Sequence, residues 1–216
     1  MTIFKKIRDL IKEEGLMKEL CEHLQQIGIK ASLLESGSPE SLGPRWQKGP
    51  FASGYVLGNI KLEDQNFDLI QVERNMGGDD TGLSEIEYTY QYLVLANIEG
   101  LEERLEAKIK LIRKGLIRRE LVDFHWHGGE LAQHLNADSS LRDMLLQEGL
   151  SEFRIVEIKP DKKNRCVRMS RPSKFLDYFD IGLSRIRIVG RKEFTKKEDI
   201  KLFNLIAKHV RSIVYE

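Results

Sequence analysis

From Glu85 to Leu95 the chain alternates without a break. Ile86, Tyr88, Tyr90, Tyr92 and Val94 fall on one side, and Glu85, Glu87, Thr89 and Gln91 on the other. Successive side chains of a strand point to opposite faces, so this run predicts a strand with one face buried and one wet. Such a strand needs strand neighbours and a layer over its apolar face. Neighbours are at hand. Tyr55–Leu62 and Phe67–Arg74 flank Glu63-Asp64-Gln65-Asn66 and predict a hairpin, as do Phe153–Lys159 and Arg165–Arg171 around Pro160–Asn164. Shorter strands are expected at Ile29–Leu34, Val122–His127 and Ile186–Val189.

The covering layer is written in helical spacing. Ile3, Phe4, Ile7, Leu10 and Ile11 form one stripe, with Gly15 expected to break or kink it; Leu16, Met17, Leu20, Leu24 and Ile27 resume it until Gly28. Leu101, Leu105, Ile109, Ile112 and Leu116 predict a second amphipathic helix. A third runs from about Glu130 to Gln147, with a restart at Asp138-Ser139. In the last, Thr195 and Glu198 predict a capping box ahead of Ile200, Phe203, Leu205, Ile206, Val210, Ile213 and Val214. The fold class is therefore α+β: a curved, mainly antiparallel sheet with long helices packed on one face. The order hairpin, strand, helix occurs twice, with Gly82-Leu83-Ser84 and Gly182-Leu183-Ser184 ahead of the strand each time. Two pseudo-repeated halves, 1–116 and 117–216, are the expected division, the first carrying a long Gly/Pro-rich loop at 36–54.

Arg191–Val214, with Phe194-Thr195 before the helix and Leu205-Ile206-Ala207 within it, resembles the closing helix of GAF-type sensory domains; it brings no site residue with it. The order of elements in the second half resembles the helix-grip or TATA-binding-like architecture. That resemblance implies a sheet gripping a long helix, and fold does not fix function.

Several classes are excluded. Forty-one per cent hydrophobic and 32% charged residues over 216 positions do not describe a disordered chain. Cys21 and Cys166 supply neither a disulfide framework nor a four-cysteine zinc site. No apolar run approaches the roughly 18 residues of a membrane span. Lys5, Lys6, Arg8 and Asp9 stand where a signal peptide needs an apolar stretch, so a cytoplasmic location is expected. The basic amphipathic start, Met1–Lys12, continues into the Leu16–Ile27 stripe, which favours packing on protein over lying on a membrane. No dinucleotide fingerprint, phosphate-cradling loop or Gly-x-Ser-x-Gly nucleophile motif is present. Gly77-Gly78-Asp79-Asp80 reads as a strand connection.

What remains points to three functions. The first is a non-enzymatic binding or regulatory protein, its small ligand or partner held between sheet and helices or under the 36–54 loop, where Trp46, Lys48 and Phe51 are lid candidates. The second is a metal-dependent enzyme. Asp123, His125 and His127 share one face of a strand, Glu130 and His134 follow one helical turn apart, and a His-x-His pair suits a divalent transition metal. The alternative there is a solvated polar face opposite a buried Phe124 and Trp126. The third is anion or nucleic-acid binding. Net charge is only +1, but Glu63–Glu106 holds 12 acidic and two basic residues, and Lys159–Lys192 holds 11 basic and three acidic. Arg165, Arg168, Arg171, Arg185 and Arg187 would form a guanidinium-rich sheet face. The overall charge balance argues against a dedicated nucleic-acid binder. Mutual attraction of the two charge blocks, within a chain or across a homo-oligomer, is the favoured explanation of them.

Overall fold

A computed structural model describes residues 3–34, 47–48, 53–78, 84–114, 120–147, 157–172, 178–182, 185–189 and 196–216. In chain order the elements are α1 (Ile3–Gln26), β1 (Ala31–Leu33), β2 (Gln47–Lys48), β3 (Ser53–Leu62), β4 (Leu69–Gly78), β5 (Ser84–Leu95), α2 (Glu102–Leu105), β6 (Ala107–Lys114), β7 (Glu120–Gly128), α3 (Glu130–Ala137), α4 (Ser139–Gln147), β8 (Glu157–Asp161), β9 (Cys166–Pro172), β10 (Tyr178–Gly182), β11 (Arg185–Val189) and α5 (Lys197–Val214). The fold is α+β, with an open antiparallel sheet rather than a closed barrel. Two compact units interleave along the sequence. One comprises 1–64, 70–90 and 173–195, and the other 65–69, 91–172 and 196–216. The expected division at 116–117 falls outside the described residues.

In the first unit, α1 packs on β1 and β3. It runs through Gly15 without a break, since one glycine costs an otherwise regular helix only about 1 kcal/mol. Leu16, Met17, Leu20, Cys21 and Leu24 are its buried stripe. The helix closes where Gly28 N–H donates to Gln25 O and Ile29 N–H to Leu24 O, the paired bonds of a Schellman cap. β1 pairs with β3 from Ala31↔Leu62 to Leu33↔Ile60. The expected 36–54 loop contains a two-residue strand, β2, paired with Ser53 and Gly54; its residues 36–46 and 49–52 lie outside the described residues. A second ribbon, β10 with β11, pairs Tyr178↔Val189 through Gly182↔Arg185. The period-2 signal of β10 spans only five residues and escapes a reading by sequence pattern.

In the second unit the strands are neighbours in the order β5, β9, β8, β6, β7. One face is apolar: Tyr92 and Val94 of β5, Val167 and Met169 of β9, Ile158 of β8, Ala107 and Ile109 of β6, and Phe124 and Trp126 of β7 are all buried. α3 covers the β6–β7 end with Leu131, Ala132 and Leu135, and α5 stacks Phe203 on Tyr92 at 3.9 Å between ring centroids. Phe67 meets the same tyrosine edge-on at 5.3 Å. Helix α5 starts at Lys197 rather than after a Thr195 cap, and the Lys196 N–H donates to Asp199 at 3.2 Å. Its buried residues are Ile200, Leu202, Phe203, Ile206, Ala207, Val210 and Ile213.

The expected 101–116 helix is corrected. Among its described residues only Glu102–Leu105 is helical; Glu106 is extended, and β6 follows. The segment Ala107–Lys114 satisfies both periods. Strand pairing wins because β7 on one side and β8 on the other take up its backbone groups.

Gly128 and Gly129 make the β7–α3 corner possible. Gly128 has φ of 141°, and a Cβ on it would lie 2.1 Å from Glu106 O; a Cβ on Gly129 would lie 1.9 Å from Glu103 O. That closeness lets the Gly129 N–H donate to Glu106 O at 2.9 Å. Gly129→Ala is expected to lower stability by about 2 kcal/mol or more, the scale of overpacking against backbone. Gly15→Ala, with open space around its Cβ, should raise it by up to about 1 kcal/mol. Urea denaturation of the two variants checks both signs.

Candidate functional site

The β6–β7 register assembles the site. Lys108 lies opposite His127, Lys110 opposite His125, and Ile112 opposite Asp123, while Ile109 faces Trp126 and Leu111 faces Phe124. Directly opposed residues share a face. Ile109, Phe124 and Trp126 are buried, and Lys108, Lys110, His125 and His127 on the opposite face are all exposed to solvent. The two imidazoles sit side by side with centroids 4.8 Å apart and planes at 78°.

The carboxylates expected to join them are held elsewhere. Asp123 accepts from the Phe124 N–H at 2.8 Å and from Arg142 at 2.7 Å; the backbone donor first, then the guanidinium, keep its carboxyl below the usual range. Arg142, from α4, also lies over the Phe124 ring, 5.5 Å from its centroid. Glu130 accepts from Arg104 at 2.5 Å, and that bond chiefly lowers its carboxyl. His134 stands 3.9 Å from the other Glu130 oxygen, one turn along α3 as its spacing predicts. Among the described residues no three His, Cys, Asp or Glu side chains converge on a point where a metal would sit. The lysines opposite each histidine also make the spot electrostatically unfavourable for a cation.

The arginines do not form one face. Arg165 occupies the left-handed C-terminal position of the turn before β9, with φ of 48°. Arg168 is largely buried and bonds Asp161 at 2.7 Å and Gln91 at 2.5 Å, so it braces β5, β8 and β9. Arg171 lies in β9, but Arg185 and Arg187 lie in β11, which belongs to a separate two-stranded sheet. Lys48 is the second residue of β2; Trp46 and Phe51 lie outside the described residues.

Sequence reasoning missed Lys108 and Lys110 because it placed them on a helix. Their alternation with Ala107, Ile109 and Leu111 was the available signal. It also missed Asn136. The Trp126 backbone N–H donates to Asn136 Oδ1 at 2.9 Å, and Asn136 Nδ2 donates back to the Trp126 carbonyl oxygen at 2.9 Å. One amide side chain thus occupies the outer edge of β7 as a strand would. The same Nδ2 lies 3.4 Å from His125 Nε2.

Behind the sheet, Asp138 ties the helices together. It caps α4 by accepting from the Leu141 N–H at 3.0 Å, and it accepts from Ser140 Oγ at 2.6 Å. His209 of α5 approaches its second oxygen at 2.7 Å. Burial alone would raise this carboxyl, but the Ser140, His209 and Leu141 hydrogen bonds together outweigh it and hold it far below the ordinary value. A depressed carboxylate contributes stability above its unfolded pKa of about 4 and loses it as pH falls toward the folded value. Asp138→Asn, which can still cap, should therefore be about 1–2 kcal/mol less stable than the parent at pH 7. That gap should narrow as pH drops below about 4. Urea titrations across this range measure it.

Comparison with protein-family profiles, with curated proteins and with solved structures finds no match for this chain.

Proposed function

We propose that this is a non-enzymatic binding protein whose second unit holds an anionic partner on the outer face of β6 and β7. The observation that carries the reading is the cross-strand pairing of Lys108 with His127 and Lys110 with His125 on an exposed sheet face. Four nitrogen-bearing side chains share this patch; Asp123 and Glu130 each pair with an arginine, and on the β8 side Glu157 stands opposite Lys108 in the register. A partner between sheet and helices finds less support. In the second unit that layer is filled by side chains with almost no exposure, Trp126, Leu135, Phe203 and Ile206 among them. A metal-dependent reaction finds less support too, because the histidines gain lysines rather than carboxylates as neighbours.

Anion binding driven by lysines weakens with salt in proportion to the contacts made. The protein is expected to be retained on immobilised heparin at low ionic strength. Lys108→Glu with Lys110→Glu should abolish retention. Against a labelled polyanion in solution, Lys108→Ala with Lys110→Ala should reduce the slope of log affinity on log salt by about 2. Retention of the double glutamate variant at parental strength would refute this reading.

A further inference from the structure

We infer that β7 is a strand-addition edge for the β7 of a second copy of this chain, and that Asn136 and Arg142 hold that edge shut. The inference does not depend on anion binding. Three observations carry it.

The first is how the edge is occupied. Among the described residues β7 is the last strand of its sheet, with β6 on one side only. Trp126 gives both backbone groups to the Asn136 side chain, so they point away from β6. Phe124, two residues earlier, points its groups the same way. Its N–H is taken by Asp123 Oδ1 at 2.8 Å. Three of the four peptide groups that an added strand would use at Phe124 and Trp126 are thus already bonded by side chains. An open edge invites another chain to pair, and groups that cover it prevent this. Second, the cover comes from the helices. Asn136 lies in the last turn of α3. Arg142 of α4 holds Asp123 at 2.7 Å and passes over the Phe124 ring, 5.5 Å from its centroid. Between them Asp138 is anchored to His209 of α5 at 2.7 Å. The joint of α3 and α4 is therefore a strap, fixed on β7 at two points and on α5 at a third.

Third, β7 complements itself. Antiparallel pairing about a two-fold axis at His125 sets Phe124 opposite Trp126 of the second copy on the apolar face. On the polar face it sets Asp123 opposite His127 of the second copy. Ring meets ring and acid meets imidazole, both favourable cross-strand pairs. Phe124 and Trp126 are also the residues whose peptide groups point outward, so the same register matches donors to acceptors. A two-fold contact of this kind closes on itself and ends at a dimer.

The test opens the strap in the full chain. Asn136→Ala with Arg142→Ala removes the bonds to Trp126 and releases Asp123 from the edge. His125→Cys, on the axis, reports pairing as a disulfide formed under the thiol oxidant diamide. Opposed residues at that position lie about 4.5 Å apart at Cα, within disulfide reach. Cys21 and Cys166 are buried and do not compete. The opened variant should cross-link at 125 about 10-fold or more above the strapped chain at equal concentration, the scale of one or two exchanged hydrogen bonds. His127→Cys in the opened variant should not cross-link, because this register holds the two 127 positions about 13 Å apart. Circular dichroism checks that each variant is folded. If the double variant does not fold, Asn136→Ala and Arg142→Ala singly carry the same test, each with a smaller gain. A folded, opened variant without cross-linking at 125 would overturn the proposal. So would cross-linking at 127 as readily as at 125, or equal cross-linking at 125 with and without the strap.

Discussion

A slip of one residue between β6 and β7 would turn Trp126 to water and carry His125 and His127 into the core. Side chains alternate with a period of two, so register alone decides which chemistry faces outward. The pairing is held firmly. Ala107 and Ile109 are buried beside Trp126, Gly128 and Gly129 bring the corner of β7 against the Glu103–Glu106 backbone, and a bulge after Ile112 resets the far end. Burying an indole together with Phe124 and Ile109 is worth several kcal/mol, far more than any exposed lysine or histidine contributes. The outward patch is therefore a consequence of what the inward face requires.

Electrostatics then gives the patch its sign. Asp123 and Glu130, the carboxylates that the sequence sets beside these histidines, are engaged by Arg142 and Arg104 at 2.7 and 2.5 Å. These arginines come from α4 and α2, so the helical layer behind the sheet determines how the strand residues are charged in front. Asn136 acts in the same way, reaching from the end of α3 to occupy the β7 edge. Asp138 joins α4 to α5 through His209, and Arg211 of α5 bonds Asn66 O and Asp68. The layer that presents the patch is thus tied together by polar bonds as well as by the Tyr92–Phe203 stack.

Much of the fold was legible because its signals are local. The alternation of β5, the hairpin turns, the joint at Asp138-Ser139 and the apolar stripe of α5 each lie within one element. The 101–116 segment was misread because Leu105, Ile109 and Ile112 fit a helical stripe while Ala107, Ile109 and Leu111 fit a strand. Only a neighbour on each side tells the two apart. The same error concealed Lys108 and Lys110. The five arginines were grouped by closeness in sequence, yet β9 and β11 belong to different sheets, and Arg168 is taken up by Asp161 and Gln91.

By itself the sequence determined the α+β class, most of the elements, and the fact that His125 and His127 share a face opposite Phe124 and Trp126. These follow from periodicity, which every residue reports about its own neighbours. The tertiary structure alone decided that lysines rather than carboxylates stand beside those histidines, that arginines neutralise Asp123 and Glu130, and that Asn136 closes the β7 edge. Each depends on residues brought together across the chain by strand register and helix packing, and no local pattern encodes that distance.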